Sequence, residues 1–270
     1  MKRPAGNKSG EGPGLKIRTE TRTRDASDSV IVEDLVRKFG KFTAVDGISF
    51  RVRDGEIFGF LGANGAGKTT TIRMLAGLLT PTSGRAVVEG FDIATQSDGL
   101  KEHIGYMSQK FSLYDDLTVY ENLEFSGGVH GLEGPAFRAA LESATAFTGL
   151  EALYGRFPRE IPLGWKQRLA LTAAMLHNPR LLFLDEPTGG VDPVSRREFW
   201  RLIHDLAEGG TTIFVTTHYM DEAEYCNRLS IMHDGKIVAM GSPAELKASG
   251  GWATMEDAFV ELIGRRITTQ

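Results

Sequence analysis

The octapeptide Gly62-Ala63-Asn64-Gly65-Ala66-Gly67-Lys68-Thr69 decides the fold that the sequence predicts, because it fits the pattern G-x-x-x-x-G-K-[ST] at every fixed position. The apolar run 56–61 before it is typical of a buried parallel strand. Residues 68–79 after it have the pattern of a helix. This order of strand, glycine-rich loop and helix predicts a loop whose backbone wraps an anion, rather than a flexible glycine turn.

The chemistry of the loop indicates a site for a nucleoside triphosphate. Consecutive N–H groups at a helix N-terminus carry partial positive charge, and Lys68 adds a full charge for the β- and γ-phosphates. The hydroxyl of Thr69 suits Mg²⁺. The candidate nucleotide-binding residues of this segment are Gly62, Ala63, Asn64, Gly65, Ala66, Gly67, Lys68, Thr69 and Thr70.

Composition narrows the class of protein. An apolar fraction of 41% in 270 residues is normal for a globular chain, and the single Cys226 excludes an internal disulfide. We find no signal-peptide pattern and no run approaching about 18 apolar residues, so we expect any membrane role to need a partner. The net charge of −4 argues against a general nucleic-acid binder.

The chain divides into tails and one folded domain. Residues 1–29 are polar and basic, which predicts a disordered tail, and residues 265–270 form a predicted C-terminal tail. Within residues 30–264, the alternating segments 30–35 and 48–52 predict an antiparallel β-subdomain, and about 110–178 predict a helical subdomain. The remainder predicts an α/β core with a mostly parallel sheet flanked by helices.

Polar side chains follow three predicted strands. Asp185 and Glu186 come after the apolar run 181–184, His218 follows residues 211–217, and Gln109 ends the segment 104–109. Ligands bind at the carboxyl ends of strands in open α/β sheets, so we expect these side chains to meet the glycine-rich loop. Two carboxylates after a buried strand are costly unless they serve a cation or a proton. A lone histidine can equally be a structural group.

An aromatic residue stands apart from this set. Phe39 lies in a predicted loop between the two alternating segments. Two interpretations of Phe39 stay open, namely stacking on a purine and anchoring a turn in the core.

These residues, in this order, resemble the ATP-binding subunit of ABC transporters across about 30–264. Such a subunit has a P-loop NTPase core with an antiparallel β-subdomain and a helical subdomain. The resemblance also covers the turn 241–243 and the segment 252–262, which look like single-domain subunits of exporters of drugs, lipids or polysaccharides. The matching motifs are Walker A (62–69), the Q-loop (Gln109), Walker B with its glutamate (181–186), the D-loop (190–192), the switch histidine (His218) and the adenine-stacking position (Phe39).

One motif departs from the family pattern. Where the family has Leu-Ser-Gly-Gly-Gln, this chain has Ile161-Pro162-Leu163-Gly164-Trp165, so the serine hydroxyl and one glycine are absent. Pro162 suits the first turn of a helix, which predicts that backbone N–H groups near Gly164 and Trp165 still face a phosphate.

The resemblance implies a role for each residue. Glu186 is the general base, with His218 and Lys68 on the γ-phosphate, while Thr69, Gln109 and Asp185 hold Mg²⁺. Gly164 and Asp192 complete the ATP site of a second copy or a homologous ATPase subunit. Two membrane permease subunits would hold the chain at the cytoplasmic face of the cell membrane, with no nucleic acid as partner.

Two alternatives from other classes remain. A non-transport ABC ATPase typically needs a long coiled coil or a second cassette, and this sequence has neither. A non-hydrolysing regulatory module would explain the altered signature, but Glu186 and His218 argue against a decayed site.

Overall fold

The computed structural model describes residues 28–267, with two sheets flanked by helices. Residues 1–27, which include most of the predicted tail, and residues 268–270 lie outside the described residues. The strands are β1 Asp28–Phe39, β2 Phe42–Arg53, β3 Ile57–Leu61, β4 Ser83–Val88, β5 Phe91–Asp92, β6 Ile104–Met107, β7 Leu181–Asp185, β8 Thr212–Thr217, β9 Arg228–His233 and β10 Lys236–Gly241.

Nine α-helices connect or follow these strands in the described part of the chain. Two short 3-10 helices, Glu151–Leu153 and Pro158–Glu160, accompany them. The α-helices are α1 Lys68–Leu75, α2 Ser97–Lys101, α3 Val119–Val129, α4 Gly134–Thr148, α5 Leu163–Met175, α6 Pro193–Glu208, α7 Met220–Ala223, α8 Pro243–Ala248 and α9 Met255–Ile267. Within residues 28–267, no helix is both long and apolar enough to cross a membrane.

The larger sheet carries the carboxyl ends that build the site. Its order is β10-β9-β3-β8-β7-β6, with parallel pairing from β9 to β6 and an antiparallel edge strand β10. β3, β7 and β8 are buried along their whole lengths, which explains their continuous apolar sequences. These three strands are neighbours, so the residues that follow them meet at one edge.

The smaller sheet is antiparallel, in the order β2-β1-β4-β5. Its inner face packs on the larger sheet through aromatic rings: Phe50 of β2 lies 5.6 Å from Phe58 and 5.2 Å from Phe60 of β3, between ring centroids. Phe214 of β8 joins the same cluster, 5.1 Å from Phe60. This packing fixes β3, and with it the start of the glycine-rich loop.

The helical subdomain has a core of its own. α3, α4 and α5 pack around Leu123, Phe137, Leu141 and Leu169, which are buried. A capping box at Thr118 and Glu121 starts α3, because each side chain accepts from the other residue's backbone N–H. The same helix α5 also contacts the larger sheet, through Leu171 and Ala174, so it links the two subdomains.

Element boundaries differ from the sequence expectation at four places. β1 begins at Asp28, two residues before the expected start of the domain, and α9 runs past residue 264 to Ile267. The helix expected to reach residue 79 ends at Leu75, because Gly77 takes a left-handed φ of 68°. The first two strands extend to Phe39 and from Phe42, so the expected loop is a tight hairpin.

Candidate functional site

The glycine-rich loop connects β3 to α1, and at two of its positions only glycine fits. A Cβ atom on Gly62 would lie 2.5 Å from the carbonyl oxygen of Met232. Gly67 has φ of 107°, and a Cβ there would lie 2.5 Å from the carbonyl oxygen of Ala44. Gly67 is the N-cap of α1 and supplies no side-chain acceptor, so the first N–H groups of this helix stay available to an anion.

Lys68 is held inside this loop. Its Nζ atom donates to the carbonyl oxygens of Gly62 (2.8 Å) and Ala63 (3.2 Å). It also forms an ion pair with Glu186, 3.1 Å from Oε1, and both side chains are more than nine-tenths buried. The cation that the sequence predicts for phosphate is therefore paired with the predicted general base.

Glu186 is the centre of the site. Besides Lys68, its carboxylate accepts from Nε2 of Gln109 at 2.9 Å and lies 3.1 Å from Nδ1 of His218, both measured to Oε2. Its backbone has φ of 47°, a left-handed conformation that is uncommon for a side chain of this size and typical of functional sites. The N–H of Glu186 donates to Thr216 Oγ1 at 2.9 Å and holds this conformation.

Asp185 lies beside the first turn of α1 and is 1% exposed. Its Oδ1 atom accepts from Oγ1 of Thr69 at 3.1 Å and from Oγ1 of Thr216 at 2.6 Å. Burial raises the pKa of Asp185 above its ordinary value, although both hydroxyl contacts act in the opposite direction. A buried carboxylate next to a hydroxyl is a set of hard oxygen donors, which fits Mg²⁺.

Among the described residues, hydrogen bonds and ion pairs thus bring together six predicted site residues. They are Lys68, Thr69, Gln109, Asp185, Glu186 and His218, the last through its contact with Glu186. The rest of the loop is in place around Lys68: Ala63, Asn64 and Gly65 are exposed, Ala66 is buried, and Thr70 is the third residue of α1.

Gly164 and Asp192 form a second group. Asp192 caps α6 by accepting from the N–H groups of Val194 and Ser195 and from Ser195 Oγ, the last at 2.6 Å. The Ser195 contacts lower the pKa of Asp192 below its ordinary value. Gly164, in the first turn of α5, faces the same serine, and a Cβ on Gly164 would lie 2.9 Å from Ser195 Oγ.

The expectation for the start of α5 was wrong in two details. Pro162 is the N-cap with ψ of 156°, not a residue of the first turn, and it offers no side-chain acceptor. The N–H of Trp165 donates to the carbonyl oxygen of Pro162 at 3.0 Å, so it does not face outward. The N–H groups that α5 presents at its start are those of Leu163 and Gly164.

Phe39 lies at the tip of the β1–β2 hairpin and is 47% exposed. The core interpretation of this residue was therefore wrong. The guanidinium of Arg37 lies 4.5 Å from the ring centroid and covers one face, which leaves the other face for stacking.

Two buried residues of the site were missed by the sequence argument. Thr216 bridges Asp185 and Glu186 through its hydroxyl, and Glu222, at 0% exposed, accepts from Thr188 and Thr217. The hydroxyl pair at 216–217, at the end of a buried strand just before His218, was a signal that could have been used. Glu222 gave none, because residues 221–224 read like an exposed acidic turn.

Comparison with known families agrees with this architecture. The family described as ABC transporter matches residues 45–189, a range that contains the glycine-rich loop, Gln109, Asp185 and Glu186. The chain belongs to this family and is its ATP-binding cassette. The predicted family and the predicted P-loop α/β fold are confirmed.

Two relatives are named as ATP-binding proteins of multidrug transport and of drug resistance. The chain is 50% identical over 236 residues to the probable multidrug ABC transporter ATP-binding protein YbhF of Escherichia coli (strain K12), covering 86% of this chain and 41% of that protein. It thus spans less than half the length of this relative. It is 40% identical over 225 residues to the linearmycin resistance ATP-binding protein LnrL of Bacillus subtilis (strain 168), covering 83% and 72%.

Solved structures of cassettes have the same fold. An ATP-binding subunit of an ABC transporter superposes with a TM-score of 0.78 at 28% identity, covering 87% of this chain and 99% of that one. The ADP conformation of another ATP-binding cassette superposes with a TM-score of 0.76 at 25% identity, covering 88% and 98%.

Proposed function

We propose that this chain binds and hydrolyses ATP to drive an ABC exporter whose membrane permease subunits are separate chains. One observation carries the proposal: the carboxylate of Glu186 lies at the mouth of the phosphate loop, in contact with Lys68, Gln109 and His218. A non-hydrolysing module has no need of a buried carboxylate held in a strained backbone conformation at this place.

Each residue has a separate task in hydrolysis. Lys68 leaves Glu186 and binds the β- and γ-phosphates, and the N–H groups at the start of α1, those of Lys68 and Thr69 among them, face the same anion. Glu186, released from the lysine, accepts a proton from the attacking water. His218, beside Glu186, contacts the γ-phosphate. Phe39 stacks on the adenine with its open face.

The donor set also supports a magnesium site. Thr69 and Asp185 would hold Mg²⁺, with Gln109 approaching from the Glu186 side. When bound, the ion supplies positive charge to the phosphate oxygens during transfer.

A second cassette completes the site in this proposal. The start of α5, with the N–H groups of Leu163 and Gly164, and the D-loop residue Asp192 would face the ATP of the partner copy or of a homologous subunit. The exposed Leu163 and Val194 lie on this face, at the starts of α5 and α6, and would be covered by the partner.

The permease is proposed to dock on a groove of about 320 Å³ between the larger sheet and the helical subdomain. Tyr114 and Phe125 form its exposed rim, 47% and 50% accessible, with ring centroids 4.9 Å apart. Leu113 also lines the groove, where it is partly buried against the core of the helical subdomain. The lining residues 111–114 follow Gln109 closely in the chain, so a docked segment would sense the phosphate state through them.

The proposed partners determine where in the cell the protein would lie. Docked on permease subunits, the chain would lie at the cytoplasmic face of the cell membrane. The names of YbhF and LnrL support a drug-like cargo, and the net charge of −4 agrees with a role that does not involve nucleic acid.

A phosphate-release assay tests the proposal. Wild-type protein, with the permease if the isolated subunit is silent, is expected to release phosphate from ATP only when Mg²⁺ is present. Glu186→Gln is expected to lower turnover by roughly 10²–10⁴-fold while ATP still binds. Wild-type turnover in Glu186→Gln would refute the general-base assignment, and ATP binding without any hydrolysis would support the regulatory module instead.

A further inference from the structure

A buried carboxylate outside the proposed chemistry lies between the two segments that carry Glu186 and His218. Glu222, on the short helix α7, is fully buried at 0% exposed. Burying a carboxylate in a protein interior is costly unless hydrogen bonds and charge compensate it. The compensation that Glu222 receives comes from residues adjacent to the site.

Two hydroxyl groups donate to this carboxylate, one from each segment. Oε1 accepts from Oγ1 of Thr188, which follows Glu186 by two residues. Oε2 accepts from Oγ1 of Thr217 at 2.5 Å, and Thr217 directly precedes His218. One side chain therefore ties the segment after the proposed general base to the strand end before the histidine.

A chain of contacts also leads from Glu222 through Arg196 and Tyr219 to the histidine ring. Nε of Arg196 lies 3.5 Å from Oε1 of Glu222, and its guanidinium lies 4.0 Å from the ring centroid of Tyr219. The Tyr219 ring is 4.2 Å from that of His218, and the N–H of Tyr219 donates to Thr217 Oγ1 at 3.0 Å. The backbone turn at His218 and its stacking partner are thus both fixed through Glu222 and its contacts.

We propose that Glu222 is a positioning residue that holds His218 within reach of Glu186. The proposal rests on the hydrolysis proposed above, where these two side chains act together, 3.1 Å apart. A carboxylate is required because it only accepts, so both threonine hydroxyls point toward it. An amide of the same shape has one donor end, so one hydroxyl would have to turn and accept instead, and both segments would lose the stronger hydrogen bond to a charged group.

Kinetics distinguish positioning from support of the fold. Glu222→Gln and Thr188→Val are expected to lower kcat by roughly 10-fold or more, because small misplacement of reacting groups is costly, while ATP affinity changes by less than about threefold. The matched control is Thr145→Val, which removes an equally buried hydroxyl inside the helical subdomain. It should leave kcat within about twofold. Equal losses in Thr188→Val and Thr145→Val would contradict the proposal.

A double-mutant cycle with the histidine is more specific. In a His218→Ala background there is no ring to misplace, so Glu222→Gln is expected to cost about twofold or less in kcat. A loss in this background as large as in the wild type would mean that Glu222 supports the fold without positioning His218.

A spectroscopic readout does not depend on turnover. The Cε1–Hε1 NMR signal of His218, recorded without nucleotide, is expected to move in Glu222→Gln and in Thr188→Val and to stay in place in Thr145→Val. An unmoved signal contradicts the positioning role even if the wild type hydrolyses ATP. A moved signal in a protein that shows no hydrolysis supports the positioning role and refutes the proposed function alone.

Discussion

Glu186→Gln is expected to bind ATP more tightly than the wild type while losing turnover. Nζ of Lys68 lies 3.1 Å from Oε1 of Glu186, and both groups are buried. ATP must take the lysine from this partner before its phosphates can be bound. Replacing the carboxylate by an amide of the same shape weakens the contact that has to be broken.

The expected size follows from the type of contact. A hydrogen bond with a charged group contributes about 1.5–3 kcal/mol and a neutral one about 0.5–1.5 kcal/mol. The difference of roughly 1–1.5 kcal/mol corresponds to an affinity gain of about tenfold. Removing the carboxylate also removes a negative charge near the γ-phosphate, which acts in the same direction.

Calorimetric titration with ATP measures this directly, since the variant turns over too slowly to consume the ligand. Glu224→Gln is the control, because it makes the same change of charge at a surface ion pair with Lys247. The control should bind like the wild type. Glu186→Gln binding ATP as weakly as the control, or more weakly, would refute the competition between Glu186 and phosphate for Lys68.

Three further predictions concern other parts of the chain. Phe39→Ala should lower affinity for ATP and GTP alike, by about 5- to 100-fold, because stacking recognises a ring face and no base edge; a difference between the two nucleotides beyond about 100-fold in the wild type would contradict this. Burial lowers the pKa of His177 to about 4 from 6.5, so as pH falls the unfolded chain gains a proton before the folded chain does. Urea unfolding should therefore show that the free energy of unfolding falls between pH 6.5 and 4. This fall should be smaller in His177→Gln, and an equal fall in the variant and the wild type would contradict the prediction. Tyr114→Ala should lower transport more than basal ATPase activity in membranes with permease, whereas equal losses would contradict docking of the permease at Tyr114.

The parts of the site that adjacent residues encode could be predicted from the sequence. The glycine-rich loop is one continuous segment, and Asp185 and Glu186 directly follow a strand that is apolar at four successive positions. A histidine at the end of a second apolar strand completes a pattern in which neighbouring strands bring their ends together. Local pattern and sheet topology were sufficient for these residues.

Contacts between residues that lie far apart in the sequence could not be predicted from the sequence. The pairing of Lys68 with Glu186 joins the glycine-rich loop to the end of β7, and that contact is a property of the assembled site. Glu222 resembled an exposed acidic residue because its burial is set by contacts outside its own short helix, with Thr188, Arg196 and Thr217. Phe39 was ambiguous since a hairpin tip and a loop have the same composition.

The central claim, that ATP is hydrolysed between two cassettes, is tested most directly at Leu163. Gly164 is less suitable, because any side chain there would collide with Ser195 of the same chain. Leu163 is 39% exposed and is the first residue of α5, where an aspartate is favoured by the helix dipole and does not disturb the fold.

The measurement is phosphate release from MgATP by Leu163→Asp and by Leu163→Asn, a pair that differs only in charge. Leu163→Asn is expected to stay within about tenfold of the wild type, while Leu163→Asp places a carboxylate against the partner's triphosphate and should lose roughly 100-fold or more. ATP binding to the monomer should be the same in both variants. Equal rates of hydrolysis in the two would show that the start of α5 does not reach the nucleotide, and would contradict the composite site.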